Sequence, residues 1–423
     1  MIRYKKQLSF FLITLLLTKS GSLSGLGQFN WLRPYDTLLR PDQKMCDGMQ
    51  LNFYGEFGVK KATGYNLAGQ PGNVLQILSP TQDALAMLDG FPANSPISIL
   101  NAEIDATDNG TRGHLTMTGN LYMDWTFAVT GRYFFWENFC LSAYLPFYGL
   151  KLTNVKWVDQ TQDVTAEDLR VQELLTGDIK ANVAELGGLY LGDWHRQGAG
   201  DLLAQIEFFR TFPQQEQRPM LKEVSLNGRL GFNLPTGLRQ NENLVMAVPF
   251  GYDGSYGILG GGGIDINLSH VMKLGLDVEL LHLFGNSRER RIKTAIDQTE
   301  LLLLQKVYAY RDWGLYQRFN LYAKVYNFLG GTGLKLGYQF FKHDSDTLSF
   351  ATCTFSANVA NSATSLQEWV MHHIYVVADY DFSDHFTEES HAIPYVSAYA
   401  RIPFKGKNIA LIPIIGANIS VSF

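Results

Sequence analysis

Residues 415–423 alternate without a break. Ile415, Ala417, Ile419, Val421 and Phe423 are apolar or small, while Gly416, Asn418, Ser420 and Ser422 are small or polar. A period of two marks a strand with one apolar and one polar face. The same period recurs upstream. Val224, Leu226, Leu230, Phe232 and Leu234 oppose Ser225, Asn227, Arg229 and Asn233. Met272, Leu274, Leu276, Val278 and Leu280 oppose Lys273, Asp277 and Glu279, and Phe319, Leu321, Ala323 and Val325 oppose Arg318, Asn320, Lys324 and Tyr326. In the stretch 116–130, Met117, Leu121, Met123, Trp125, Phe127 and Val129 are expected on one face, with Thr116, Thr118, Asn120, Tyr122, Asp124 and Thr126 on the other. The pattern predicts twelve strands, near 48–57, 115–130, 138–150, 201–212, 222–234, 257–269, 271–284, 315–328, 332–341, 366–382, 392–404 and 408–423.

The connections alternate in length. Long ones (58–114, 151–200, 235–256, 285–314, 342–365) follow odd strands, and short ones (131–137, 213–221, 270, 329–331, 383–391) follow even strands; the tripeptide 405–407 alone departs from this. Long loops at one end and short turns at the other is the plan of a transmembrane antiparallel β-barrel, and an even strand count returns both termini to one side. A soluble sandwich gives no reason for the alternation. The fold class expected is therefore all-β, a transmembrane antiparallel barrel of about twelve strands (range about 10–16) with long extracellular loops.

If the apolar faces meet lipid, the charged residues of the other faces must point inward, because a charge at the bilayer midplane costs about 2–4 kcal/mol. The expected lumen lining is Glu56, Asp124, Glu207, Asp265, Asp277 and Glu279 with Arg229, Lys273, Arg318, Lys324, Lys335 and Arg401. These mixed charges either pair across a narrow lumen and close it, or line a polar path for solutes.

The N-terminus reads as a secretory signal over 1–24. Arg3, Lys5 and Lys6 precede an apolar run, 8–17, too short to span a bilayer, and small residues follow at 22–24. Residues 25–47, with Trp31, Tyr35 and Leu38, are expected as a periplasmic segment or a plug, and 48–423 as the barrel. No later stretch has the length and apolarity of a transmembrane helix. A composition with 40 Gly, 21 Tyr and 27 Phe suits glycine-rich strands and aromatic girdles, and a net charge of −5 argues against a nucleic-acid binder. Cys46, Cys140 and Cys353 are too few for a disulfide scaffold.

Helix-forming composition appears at 164–175 and 288–308, each within a long loop. Catalytic and cofactor signals are weak. The glycine run 260–263 is followed by a strand, not by the helix that a phosphate cradle needs. His372 and His373 lack a partner at metal spacing, although His372 on a lipid-facing row leaves a membrane hydrolase open. No cofactor and no metal are expected.

The chain's last strand, with Ile419, Val421 and Phe423, resembles the C-terminal assembly signal of bacterial outer-membrane barrels. Residues 198–209 (GAGDLLAQIEFF) and 226–237 (LNGRLGFNLPTG) resemble segments of the outer-membrane proteins named for the meta-pathway of phenol degradation, through Gly198, Gly200 and Asp201 and then Leu234, Pro235, Thr236 and Gly237. The resemblance implies an outer-membrane barrel passing small hydrophobic or aromatic compounds. Together these readings imply a porin-like channel for small solutes in the cell outer membrane. Its expected partners are outer-membrane lipid and lipopolysaccharide, the barrel-assembly machinery and a small-molecule solute. The alternatives are a closed structural or adhesive barrel acting through its loops and, behind it, an outer-membrane hydrolase.

Overall fold

The computed structural model describes residues 38–39, 48–214, 220–268, 271–329, 331–351, 354–382 and 392–423. The expected signal, all of 25–47 except Leu38 and Leu39, the turn residues 270 and 383–391, Cys46 and Cys353 lie outside these residues.

Twelve strands close into an antiparallel barrel: β1 Gly48–Gly58, β2 His114–Trp136, β3 Phe139–Asp159, β4 Leu202–Pro213, β5 Glu223–Leu234, β6 Gly257–Asn267, β7 Met272–Leu283, β8 Tyr316–Leu329, β9 Thr332–His343, β10 Trp369–Asp381, β11 Ile393–Lys407 and β12 Ile414–Ser422. Each pairs with the next, and β12 pairs with β1 from Gln50↔Ser422 to Gly58↔Ile414. The seam continues to the last residue: the Phe423 N–H donates to the Met49 carbonyl at 2.7 Å, and the Met49 N–H to the Phe423 carbonyl at 3.1 Å. Closure leaves no unpaired strand edge.

The period of two sets the faces. Phe53, Leu230, Phe232, Leu276, Phe319, Leu321, Leu336 and Ile419 stand exposed on the outside, while Asn52, Arg229, Asp277, Glu279, Arg318 and Asn320 are buried inside. Strand β2 departs from the expected assignment. A bulge between Met123 and Trp125 places an extra residue in β2, which exchanges its two faces beyond that point. Trp125 and Phe127 point outward as expected, but Met117, Leu121 and Met123 turn inward and are fully buried. The reason is position along the strand. This part of β2 lies at the long-loop end, where the inner face packs beneath the loops.

Those loops form a dome with an apolar core. Leu75, Leu88, Val171, Leu175 and Leu302 from the loops join Met117, Leu121, Leu150, Leu259, Leu283 and Trp369 from the inner wall in one buried cluster. The 164–175 stretch is helical at Ala166–Val171, capped by a reciprocal Thr165–Asp168 box, and runs on into a wide turn at Gln172–Thr176. The 288–308 stretch is not a helix. It contributes the strand Asn286–Arg291, paired with Lys306–Asp312, and a single tight turn at Glu300–Leu302. Leu301, Leu302, Leu303 and Leu304 are all buried, a run rather than one helical stripe. Arg291 holds that run extended by donating to the carbonyls of Leu303 at 2.8 Å and Leu304 at 3.0 Å.

Candidate functional site

The inner wall between the dome and the short-turn end carries the charged residues. Arg229 on β5 donates two hydrogen bonds to Asp277 on β7, at 2.7 and 2.8 Å, and a third to Glu279 at 3.1 Å. Arg318 on β8 reaches the same Glu279 at 2.6 Å. A carboxylate and guanidinium in this fork geometry satisfy one another directly. Strand β6 lies between Arg229 and Asp277, and its inward residues there are Gly261 and Gly263. A Cβ at Gly261 would sit 2.9 Å from the Arg229 guanidinium carbon, and one at Gly263 would sit 3.1 Å from an Asp277 oxygen. The glycine run thus gives the arginine room to cross a whole strand.

Further pairs continue around the wall. Glu207 on β4 accepts from Arg132 at 3.4 Å, Gln205 at 3.0 Å and Tyr144 at 3.3 Å. Glu56 on β1 pairs with Arg401 on β11 and accepts from the Tyr399 hydroxyl at 2.8 Å. Lys324 meets Asp379 at 3.1 Å, Lys273 meets Asp265 at 3.7 Å, and Tyr322 also donates to Asp265. Eleven of the twelve expected lumen residues therefore face inward: Glu56, Glu207, Arg229, Asp265, Lys273, Asp277, Glu279, Arg318, Lys324, Lys335 and Arg401. Asp124 does not. It sits at the β2 bulge, partly exposed, and pairs with Lys151 at 2.6 Å and His195 at 3.5 Å. The register slip turned it away from the lumen.

The centre of the lumen is occupied by Leu38 and Leu39. Both are buried, and they cluster with the inward residues Tyr54, Ala128, Tyr375, Val377 and Tyr399. Lys335 donates to the Leu38 carbonyl at 2.7 Å, and the Leu38 side chain lies 3.1 Å from where a Cβ of Gly337 would stand. Above them the dome holds a cavity of about 140 Å³ with mixed walls, where Leu301, Leu303, Leu348 and Leu366 stand beside Glu242, Arg290, Arg291, Lys293, Glu300 and Arg311.

The two sequence motifs meet at the mouth of β4 and β5. The Asp201 carboxylate accepts from the backbone N–H groups of Gly237 at 2.9 Å and Tyr252 at 2.7 Å, and from the Asn233 amide at 3.0 Å. Thr236 donates to the Gly200 carbonyl at 3.1 Å. Gly200 and Gly237 have no room for a side chain: a Cβ would meet Tyr148 at 2.6 Å and the Phe250 carbonyl at 2.5 Å, respectively. The motifs build a knot that anchors the 235–256 loop. On the outer face, His372 forms a hydrogen bond with the Tyr338 hydroxyl at 2.7 Å and packs among Phe340 and Phe404. Its hydrogen-bonding neighbour is thus a tyrosine, not the serine a hydrolase would use.

The glycine run 260–263 stands out in the sequence, but not the room that Gly261 and Gly263 leave for Arg229 and Asp277, and Gly337 does not stand out at all. The available signal was the coincidence of a glycine run in one strand with an arginine and an acid on the two flanking strands.

No family model and no curated protein matches the chain. Solved structures similar to it include an outer-membrane channel of Pseudomonas putida F1, with a TM-score of 0.48 and 11% identity over 91% of this chain and 100% of that one. The β domain of a Bordetella autotransporter gives a TM-score of 0.32 and 9% identity over 90% of this chain and 100% of that one. A FadL homologue of Pseudomonas aeruginosa gives 0.30 and 10% over 95% and 98%, respectively. These likenesses are too distant to assign a function.

Proposed function

We propose that this barrel spans the bacterial outer membrane and acts as a narrow, plugged channel for small solutes. The band of exposed Phe, Leu and Ile on the outer wall suits lipid, and the long loops then lie outside the cell. In this setting Ile419, Val421 and Phe423 present the seam strand to the assembly machinery, and membrane lipid with lipopolysaccharide surrounds the wall.

The observation that carries the channel reading is what fills the lumen. Eight-stranded barrels are filled by their own wall side chains, whereas twelve strands enclose a wider space. Here that space is taken by Leu38 and Leu39, which the wall does not contribute, and by the loop dome. Neither belongs to the twelve strands of the wall. A small hydrophobic or aromatic solute, implied by the resemblance of residues 198–209 and 226–237, is carried as part of this proposal.

Single-channel recording of the full chain in planar bilayers tests this reading. Discrete, reproducible steps are expected. Folded barrel that stays silent would favour a closed barrel acting through its loops.

A further inference from the structure

The dome cavity has two kinds of wall. Leu301, Leu303, Leu348, Leu366, Ala360 and Ala363 are buried and apolar. Beside them stand four cations, Arg290, Arg291, Lys293 and Arg311. The carboxylates around these cations are already engaged. Glu242 pairs with Arg288 at 2.5 Å. Asp253 is shared between Arg288 and Arg290, the latter at 2.7 Å. Asp346 accepts from Arg311 at 2.8 Å, and Glu300 accepts from the backbone N–H groups of Thr364 and Ser365. Asp297, the other acid whose charge reaches Lys293, is exposed to water.

That leaves cations on the cavity without a carboxylate of their own. Arg291 donates to four backbone carbonyls, those of Gly187, Glu242, Leu303 and Leu304, at 2.5–3.0 Å. Lys293, 7% exposed, donates to the Ile296 carbonyl at 2.5 Å, which uses one of its three protons. Arg290 is 4% exposed, and its Nε has no hydrogen-bond partner among the described residues. Burial, with Arg311 close by, holds the Arg290 guanidinium down at about 10, and burial holds Arg291 there too. Buried cations of this kind are costly until an anion joins them. The approach is cationic as well. Gln240 and Glu242 also line a wider basin, open to water at Thr236, Arg239 and Asn241, where Arg196, Arg239 and Arg288 outnumber Glu242 and Glu289. Such a field gathers anions. At about 140 Å³ the cavity has room for one ring or a short acyl chain, not for a long tail.

We propose that the dome cavity is a binding site for a small monocarboxylate with a compact apolar body. The Nε of Arg290 and the ammonium of Lys293 meet the carboxylate, while Leu301, Leu348, Leu366 and Ala363 receive the apolar body. A second charge on the ligand would fall among the leucines, so dicarboxylates are rejected. The inference rests on the channel reading only in taking the bound molecule as a solute in transit; binding itself does not depend on conduction.

The test is titration calorimetry on the full chain, refolded in a non-ionic detergent and judged folded by heat-modifiable gel mobility. Cyclohexanecarboxylate should bind saturably, one per chain, and at least tenfold more tightly than cyclohexylmethanol, its neutral counterpart, or acetate, which lacks the apolar body. Ala363→Leu fills the cavity and leaves every charge in place, and it should abolish binding. Lys293→Gln gives up one cation and a single hydrogen bond to a backbone carbonyl, and it should weaken binding at least fivefold. No saturable binding by the parent, equal affinity for the alcohol or for acetate, or binding that survives both substitutions overturns the site. Saturable binding by a protein that stays silent in bilayer recording supports the site and overturns the channel reading instead.

Discussion

Arg229 lies across the backbone of Gly261, so close that a Cβ there would be 2.9 Å from its guanidinium carbon. The arginine reaches two strands over to Asp277 only because nothing stands on β6. Gly261→Val is therefore expected to displace Arg229, taking from the buried Asp277 its two-pronged partner and leaving Glu279 with Arg318. Breaking a buried pair in this way costs about 3–5 kcal/mol. Gly260, one residue away, points outward with nothing within 4 Å of an added Cβ, so Gly260→Ala should be tolerated. Urea unfolding of the two refolded variants measures the contrast, and equal stability would show that Arg229 has another place to go.

Asp201→Ala removes the acceptor shared by Gly237, Tyr252 and Asn233. Hydrogen bonds to a charged group contribute about 1.5–3 kcal/mol each, and loss of the set should loosen the loop at 235–256 before the barrel. Limited proteolysis should then cut that loop faster by tenfold or more while heat-modifiable mobility persists. Unchanged protection would mean that the loop is held by its packing alone.

Deleting Phe423 removes both backbone hydrogen bonds to Met49 at the seam and the terminal aromatic side chain. Replacing it with lysine keeps the backbone and alters only the side chain. If the residue is read during assembly, both changes should lower the yield in the outer-membrane fraction several-fold while barrels refolded in detergent remain nearly normal. Equal yields for Phe423→Lys and the parent would leave Phe423 a role only in closing the seam.

The dome has an acid-sensitive anchor. The Arg112 guanidinium, hydrogen-bonded to Asp168 at 2.7 Å, and the Thr165 hydroxyl and backbone hold the Asp168 carboxyl down at about 2. Because the folded value lies below the ordinary 3.8, the stability that this group confers is present above about pH 4 and fades as pH falls toward 2. Pepsin cleavage within 159–178 should rise steeply between pH 4 and pH 2. In Asp168→Asn that rise should be blunted, with cleavage already elevated at pH 4.

Much of this architecture was legible in residue order, and the reason is physical. An enclosed strand repeats every two residues, so Leu226 against Arg229 or Leu276 against Asp277 states which way each side chain must point. All twelve strands and the alternation of their connections could be read that way. The pattern failed where a second apolar environment intervened. Met117, Leu121 and Met123 are as apolar as lipid-facing residues, but they serve the dome, and the bulge that turns them inward leaves no mark at Asp124. The leucine run 301–304 misled for a related reason: helix-forming composition does not report burial on all sides. The lumen charges were visible singly, whereas their pairing depended on glycines whose role is to be absent.

The central claim is that Leu38 and Leu39, held by Lys335 and accommodated by Gly337, are what keeps the lumen shut. Single-channel recording of the parent beside Leu38→Gly/Leu39→Gly tests it most directly, since the variant leaves every wall residue in place. The account predicts brief, infrequent openings for the parent and at least a several-fold increase in mean current for the variant, with unchanged heat-modifiable mobility. Equal currents from the two folded proteins, or silence from both, would contradict it.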